Sequence, residues 1–180
     1  MPQFVALLRA INVGGHATVR MSDLAAAFTA AGGREVRTCL ASGNVLFTAT
    51  TAQAAAVQRR ARAAVGELIG GDAVIVFRTA AELAALVAAD PFRAVARGAD
   101  VKLYVAFLAG PPPRRPRLPL VATREGIEAF AQRGLDVLLL SRPVEGHYGF
   151  PNNFFEKEFG VKATTRNWNT VGRIVALAVS

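Results

Sequence analysis

The order of patterned segments between Phe4 and Phe77 restricts the fold of this chain more than any other feature. Phe4 through Leu8 is an unbroken apolar run of strand length, ended by Arg9 and interrupted by Asn12-Val13-Gly14-Gly15. Ser22 is placed to cap a helix carrying Leu24, Ala27, Phe28 and Ala31, which Gly32-Gly33 ends. Glu35 through Leu40 alternates as a second strand, Ser42-Gly43-Asn44 makes a turn, and Val45 through Thr48 is a third strand. Thr50 or Thr51 opens a long alanine-rich helix that closes near Gly70-Gly71, and Ala73 through Phe77 is a fourth strand. Strand, helix, strand, strand, helix, strand is the order of a ferredoxin-like split βαβ unit.

Thr79 is placed to cap a further helix through Leu83, Leu86 and Val87. It must stop before Asp90-Pro91, because a residue preceding proline is pushed out of the helical region. Val101 through Leu108 reads as a strand. The stretch from Gly110 to Pro119 holds five prolines and three arginines and reads as an extended linker. Thr123 is expected to start a helix through Ile127 and Phe130 that Gly134 ends. Leu135 through Leu140 is a strand, with Val144 through Tyr148 as its hairpin partner. Asn152 or Asn153 is the expected cap of a helix carrying Phe154, Phe155 and Phe159, closed by Gly160. Asn167 or Asn169 is the expected cap of a last helix with Val171, Ile174, Val175 and Leu177. The second half would then roughly repeat strand, helix, strand, strand, helix, with no repeat in the residues themselves. The expected class is α+β: a ferredoxin-like βαββαβ N-terminal lobe over residues 1–90, followed by a second, similar α+β lobe over 91–180 packed on the first. The alternative is one continuous domain with a single sheet fed by both halves.

Hydrophobic residues make up 52% of the 180 and charged ones 19%. That suits a packed core and argues against disorder. Lys and Arg number 21 against 13 Asp and Glu, a net charge of +8, and only Lys102, Lys157 and Lys162 are lysines. Arginine forks onto carboxylates and phosphates, so the excess predicts an anionic partner, unless it reflects an alanine- and arginine-rich composition alone. Cys39 is the single cysteine, which excludes an internal disulfide and fits a reducing compartment. No basic stretch leads into an apolar one at the start, and the longest apolar runs fall far short of the roughly 20 residues of a membrane helix. The expected location is cytoplasmic, with no membrane contact.

Three stretches are less generic. They are Leu7-Leu8-Arg9-Ala10-Ile11-Asn12-Val13-Gly14-Gly15; Val36-Arg37-Thr38 with Ser42-Gly43-Asn44-Val45 and Phe47; and Phe150-Pro151-Asn152-Asn153 with Glu156-Lys157 and Ala163 through Thr170. In this order they resemble a bacterial family, domain of unknown function 1697, from Phe4 to about Leu177. The resemblance implies an α+β fold and no reaction. The chain departs from the family pattern in two places. His16-Ala17-Thr18-Val19-Arg20 stands where a lysine-rich loop is usual, and Cys39 where an aromatic is frequent.

The candidate ligand-binding residues follow from these motifs. Arg9 ends a strand, and Asn12, Gly14 and Gly15 follow in a strand-to-helix connection, where ligands of α/β folds tend to bind. Glycines let backbone amides approach an anion, and Arg9 is suited to clamp a carboxylate or phosphate. The spacing is neither a Walker loop nor GxGxxG, and a turn that needs glycine accounts for the same residues. Ser42 and Asn44 sit in a hairpin turn that is either ordinary turn chemistry or a wall of the same site. Arg166, Asn167, Trp168 and Asn169 lie in the richest polar string. There the free amides of a helix start would attract an anion, Arg166 would add a bidentate contact, and Trp168 would stack on a flat ligand. A simple cap with Trp168 as a buried anchor is the competing account. His16 and His147 have no second ligand at metal spacing, so no metal is expected. No cofactor motif is present, and no nucleophile–base or paired-carboxylate arrangement assigns a catalytic residue.

Two functional expectations result. The first is a protein binding a small anionic ligand or nucleotide in a cleft lined by Arg9, Asn12 and Arg166. The second is a basic nucleic-acid (RNA) binding module, resting on the charge of +8 and on Arg114 to Arg117. Against the second, the central strands carry Val, Leu and Ala and no RNA-recognition signature.

Overall fold

A computed structural model of the chain describes residues 1–12, 18–95, 98, 100–149 and 151–180. They form a mixed α/β structure with two antiparallel sheets and five α-helices. The chain clusters into two compact units, Met1–Leu86 with Arg173–Ser180, and Val87–Gly172.

The first unit runs β1 (Gln3–Leu8), α1 (Met21–Ala30), β2 (Arg34–Thr38), β3 (Asn44–Thr48), α2 (Thr51–Ile69), β4 (Ile75–Thr79) and the start of α3 (Ala80–Ala88). Its sheet has the order β2-β3-β1-β4, every pair antiparallel. Side chains alternate across a strand. Accordingly Phe4, Ala6 and Leu8 join Val45, Phe47 and Ile75 in one core with Leu24 and Phe28 of α1 and Val57, Ala61 and Val65 of α2. Phe47 anchors it, with ring centroids 5.5 Å from both Phe4 and Phe28. On the opposite face Val5, Leu7, Leu46 and Val76 are at most 2% exposed. Burial on both faces is why β1 reads as a continuous apolar run rather than an alternating one.

The helix boundaries are mostly local chemistry. Thr50 caps α2 by accepting from Gln53 N, and Gly70 ends it in a left-handed conformation, φ +66°. Thr79 and Glu82 form a reciprocal capping box at α3: Thr79 Oγ1 accepts from Glu82 N at 3.1 Å, and Glu82 Oε2 accepts from Thr79 N at 2.6 Å. At α1 the expected cap differs. The helix begins at Met21, Arg20 occupies the N-cap with no side-chain bond, and Ser22 lies inside the first turn. Asp23 there supplies the negative charge that the helix start favours, and takes Arg20 Nε at 2.8 Å.

The second unit contains β5 (Lys102–Leu108), β6 (Leu120–Ala122), a 3-10 turn (Thr123–Glu125), β7 (Ile127–Arg133), β8 (Asp136–Ser141), α4 (Pro151–Phe159), β9 (Ala163–Asn167) and the first turns of α5 (Trp168–Val179). The strand order is β6-β7-β8-β5-β9, all antiparallel. Phe155 and Phe159 of α4 pack on Ala106, Leu108, Val137, Leu139 and Ala163.

Several expectations for this half are corrected. The helix from Thr123 to Gly134 is instead a short 3-10 turn followed by β7. Gly126 stands at φ +65°, which ends the turn, and a Cβ there would strike the carbonyl oxygen of Arg142. Ile127 and Ala129 then face the core at strand spacing while Glu128 and Phe130 face away. The expected repeat of strand, helix, strand, strand, helix is therefore absent, and two sheets replace the alternative of one shared sheet. Val144 through Tyr148 is no partner for β8: Val144 bridges only to His147, across Glu145 and Gly146 at φ +50° and +81°. At α4, Pro151 takes the first helical position, so Asn152 and Asn153 lie inside the helix rather than capping it.

No helix among the described residues is long and apolar enough to cross a membrane.

Candidate functional site

Because β1 runs antiparallel to both β3 and β4, its C-terminal end meets the N-terminal ends of both. Residues 9–12, the turn 41–44 and the segment 70–74 therefore share one end of the first sheet. Leu8 N donates to Gly43 O and Arg9 N to Val74 O, each at 2.9 Å. The turn is tightly fitted: Gly43 has φ +76°, and a Cβ there would lie 3.0 Å from Leu8 Cβ and 3.2 Å from Ile11 Cβ.

Of the residues expected to bind a ligand, Arg9, Asn12, Ser42 and Asn44 come together here. Arg9 is half-buried and borders a depression of about 290 Å³ with Ile11, Ile69, Asp72 and Val74. Asn12, at φ +56°, donates through Nδ2 to Val19 O at 2.9 Å and Ala41 O at 3.0 Å, and accepts through Oδ1 from Val19 N at 2.8 Å. Asn44 is fully buried, with Nδ2 donating to Cys39 O at 2.7 Å and Ser42 Oγ at 3.2 Å. The two carboxamides thus tie loops together, and Ser42 serves one of them. Gly14 and Gly15 lie outside the described residues. Ala10, Asn12 and Leu40 are all left-handed without being glycine, at φ +55°, +56° and +62°. Such conformations persist where surrounding structure enforces them, and they gather at functional sites. Cys39 is half-buried, and loss of water pushes its thiol pKa up, partly offset by Arg173, which makes it a poor nucleophile.

Arg166, Asn167, Trp168 and Asn169 belong to the second unit. Arg166, expected as a bidentate contact to an anion, lies in β9 and is only 7% exposed. Its Nη1 donates to Thr164 Oγ1 at 2.8 Å and to Thr165 O at 3.0 Å, and burial lowers its pKa to about 10. Thr164 and Asp136 both pair with Phe107, on either side of it, so they are buried on Arg166's face of the sheet with Val105, Phe107 and Leu138. Asn167 holds the cap of α5, accepting from Asn169 N at 2.9 Å. Trp168 opens that helix with its ring 5.0 Å from Phe92, which in turn lies 5.6 Å from Phe130.

Sequence reasoning missed Asp136 and Tyr104, and read Asn152 only as a helix cap. Asp136 is buried at the head of a strand whose next four residues are apolar, and an acid in that position was the available signal. Tyr104 is half-buried beside Asn167, and its phenol pKa is raised by loss of water. Asn152 Oδ1 accepts from Thr165 Oγ1 at 2.6 Å, which joins α4 to β9. Nearby, the Lys102 ammonium sits 3.5 Å over the ring of Tyr148, whose hydroxyl donates to Asp100 O. Among the described residues no group of three or more His, Cys, Asp or Glu side chains could hold a metal ion.

The comparisons with known proteins agree with the architecture. A conserved bacterial protein from Streptococcus pneumoniae, of known structure, is similar over 98% of each chain, with a TM-score of 0.63 and 18% identity, a likeness of fold. No curated protein matches the chain. The family model described as "protein of unknown function (DUF1697)" matches residues 1–137. That is well over half of the 180 residues, and the chain belongs to this family of proteins of unknown function.

Proposed function

We propose that the protein binds a small anionic ligand, a carboxylate or a phosphate ester such as a nucleotide, at the β1-exit end of the first unit. The observation that carries this reading is Arg9, half-buried on the wall of an open depression of about 290 Å³. Ala10, Asn12 and Leu40 hold the neighbouring backbone in left-handed conformations, and Asn12 ties the flanking segments, so the cation stands on a fixed frame. Asp72 borders the same depression, so the formal charge there is balanced. That favours a ligand with one anionic group and a hydrogen-bond donor over a polyphosphate. The reading uses first-unit residues only and assigns no reaction. Its test is a thermal-unfolding screen with monocarboxylates, sugar phosphates and nucleoside monophosphates, on the wild type and on Arg9→Met. A ligand that binds the folded state raises Tm in proportion to its occupancy. A rise in the wild type that Arg9→Met abolishes supports the site; an equal rise in both proteins, or none with any of the three classes, defeats it.

The strand order β2-β3-β1-β4 with α1 and α2 as crossovers supports reading the first unit as a ferredoxin-like lobe, within an arrangement of two lobes divided near residue 90. A single cysteine supports a cytoplasmic setting. For the nucleic-acid alternative, burial of Val5, Leu7, Leu46 and Val76 weighs against base stacking on the free face of that sheet.

A further inference from the structure

We propose that the proline-rich segment from Pro111 to Pro119 is a strap that docks on the phosphodiester backbone of a nucleic acid, with Arg114, Arg115 and Arg117 as its phosphate contacts. The segment connects β5 to β6, and its ends are secured. Ala109 N donates to Lys162 O at 2.8 Å, the ring of Pro113 lies against Gly160 at the end of α4, and Leu118 packs on the second unit's core. Between these anchors the three arginines are exposed and have no hydrogen bond or acidic partner among the described residues. The charge here is of one sign. From Val101 to Arg124 the chain has five basic residues and no acidic one.

The chemistry follows from this arrangement. Three consecutive prolines fix φ over Pro111, Pro112 and Pro113, so little backbone freedom remains to be lost on binding. Polyproline chains advance roughly 3.1 Å per residue, and three arginines within four residues of such a chain suit successive phosphates of a linear polyanion. Guanidinium is the cation that meets phosphate oxygens in a fork. Pro111, Pro113 and Pro119 are exposed, so an aromatic groove for proline is the competing partner, and the run from Val101 to Arg124 with five basic residues and no acidic one favours a polyanion over it. The strap presents three exposed arginines and none of the large aromatic anchors that concentrate binding energy in protein interfaces. The strap and the Arg9 depression share no residue, so either proposal can fail alone.

The test measures binding of a short single-stranded RNA, a DNA of the same sequence, and polyglutamate, at several salt concentrations. Three neutralised phosphates on a single strand predict a slope of log K against log salt of about −2, so affinity drops about 16-fold between 50 and 200 mM salt. Replacing Arg114, Arg115 and Arg117 together by Ala removes about 2 from that slope, while the triple Lys variant retains it. Exposed, unpaired side chains leave Tm unchanged in both variants, which separates lost binding from lost folding. Comparable binding of RNA and DNA supports a contact made to the backbone. The proposal is overturned by wild type and triple Ala variant binding with the same affinity and slope, by no binding to either strand at low salt, or by polyglutamate binding as tightly as RNA.

Discussion

The carboxamide of Asn12 engages both backbone groups of Val19, accepting from its N–H at 2.8 Å and donating to its carbonyl at 2.9 Å. One side chain thereby closes the loop between β1 and α1, and its third bond, to Ala41 O, joins that loop to the turn before β3. Asn12→Ala removes all three bonds and leaves partly buried backbone groups unmet. The expected loss is about 1–3 kcal/mol in urea unfolding. Asn12→Asp keeps the acceptor but turns a carboxylate toward two carbonyls, so it is expected to be no more stable than the Ala variant. Full stability in Asn12→Ala would show that the loop is held by something else.

Gly43 stands where a side chain does not fit. At φ +76° the backbone is in the left-handed region, and a Cβ would press on Leu8 and Ile11. Gly43→Ala is expected to cost about 2–4 kcal/mol, combining overpacking with left-handed strain. Because Leu8 N bonds Gly43 O, amide exchange at Leu8 should quicken in the variant.

Phe92 is fully buried against both Phe130 and Trp168. Phe92→Ala should destabilise by about 3–5 kcal/mol. Trp168 is the single tryptophan, so its emission should move to longer wavelength as water reaches the ring. An unshifted emission spectrum would contradict the packing described for that ring.

Tyr104 provides a pH signature. Loss of water holds its phenol above the ordinary value of 10.0, against the hydrogen bond with Asn167, which lowers it. The folded state therefore keeps a proton that the unfolded state releases first. The stabilisation is complete below pH 10 and is lost as pH rises through the folded pKa. In an absorbance titration Tyr104→Phe should remove a phenolate transition lying above the ordinary value, and it should flatten the alkaline fall in stability.

Thr50 and Gly70 at the ends of α2, Thr79 as the cap of α3, and the strand and helix order up to Thr79 were all legible in the residues. Each depends on partners within a few positions along the chain, where residue type and spacing decide the geometry. The stretch from Thr123 to Arg133 was not legible. Its composition suits a helix start, but pairing with β6 and β8 and the left-handed Gly126 make it a strand, and those partners lie outside the segment. The polar motifs divide in the same way. Asn167 could be read as a cap because the donor its side chain accepts from, Asn169 N, is two residues away. Asn12 and Arg166 look alike as candidate ligand groups in a sequence, yet one ties residues 12, 19 and 41 and the other is buried in a strand beside Thr164. Whether a polar side chain faces solvent or bonds to distant backbone depends on which loops the sheet register brings together, and that register is set by pairings across the whole unit rather than by any one segment.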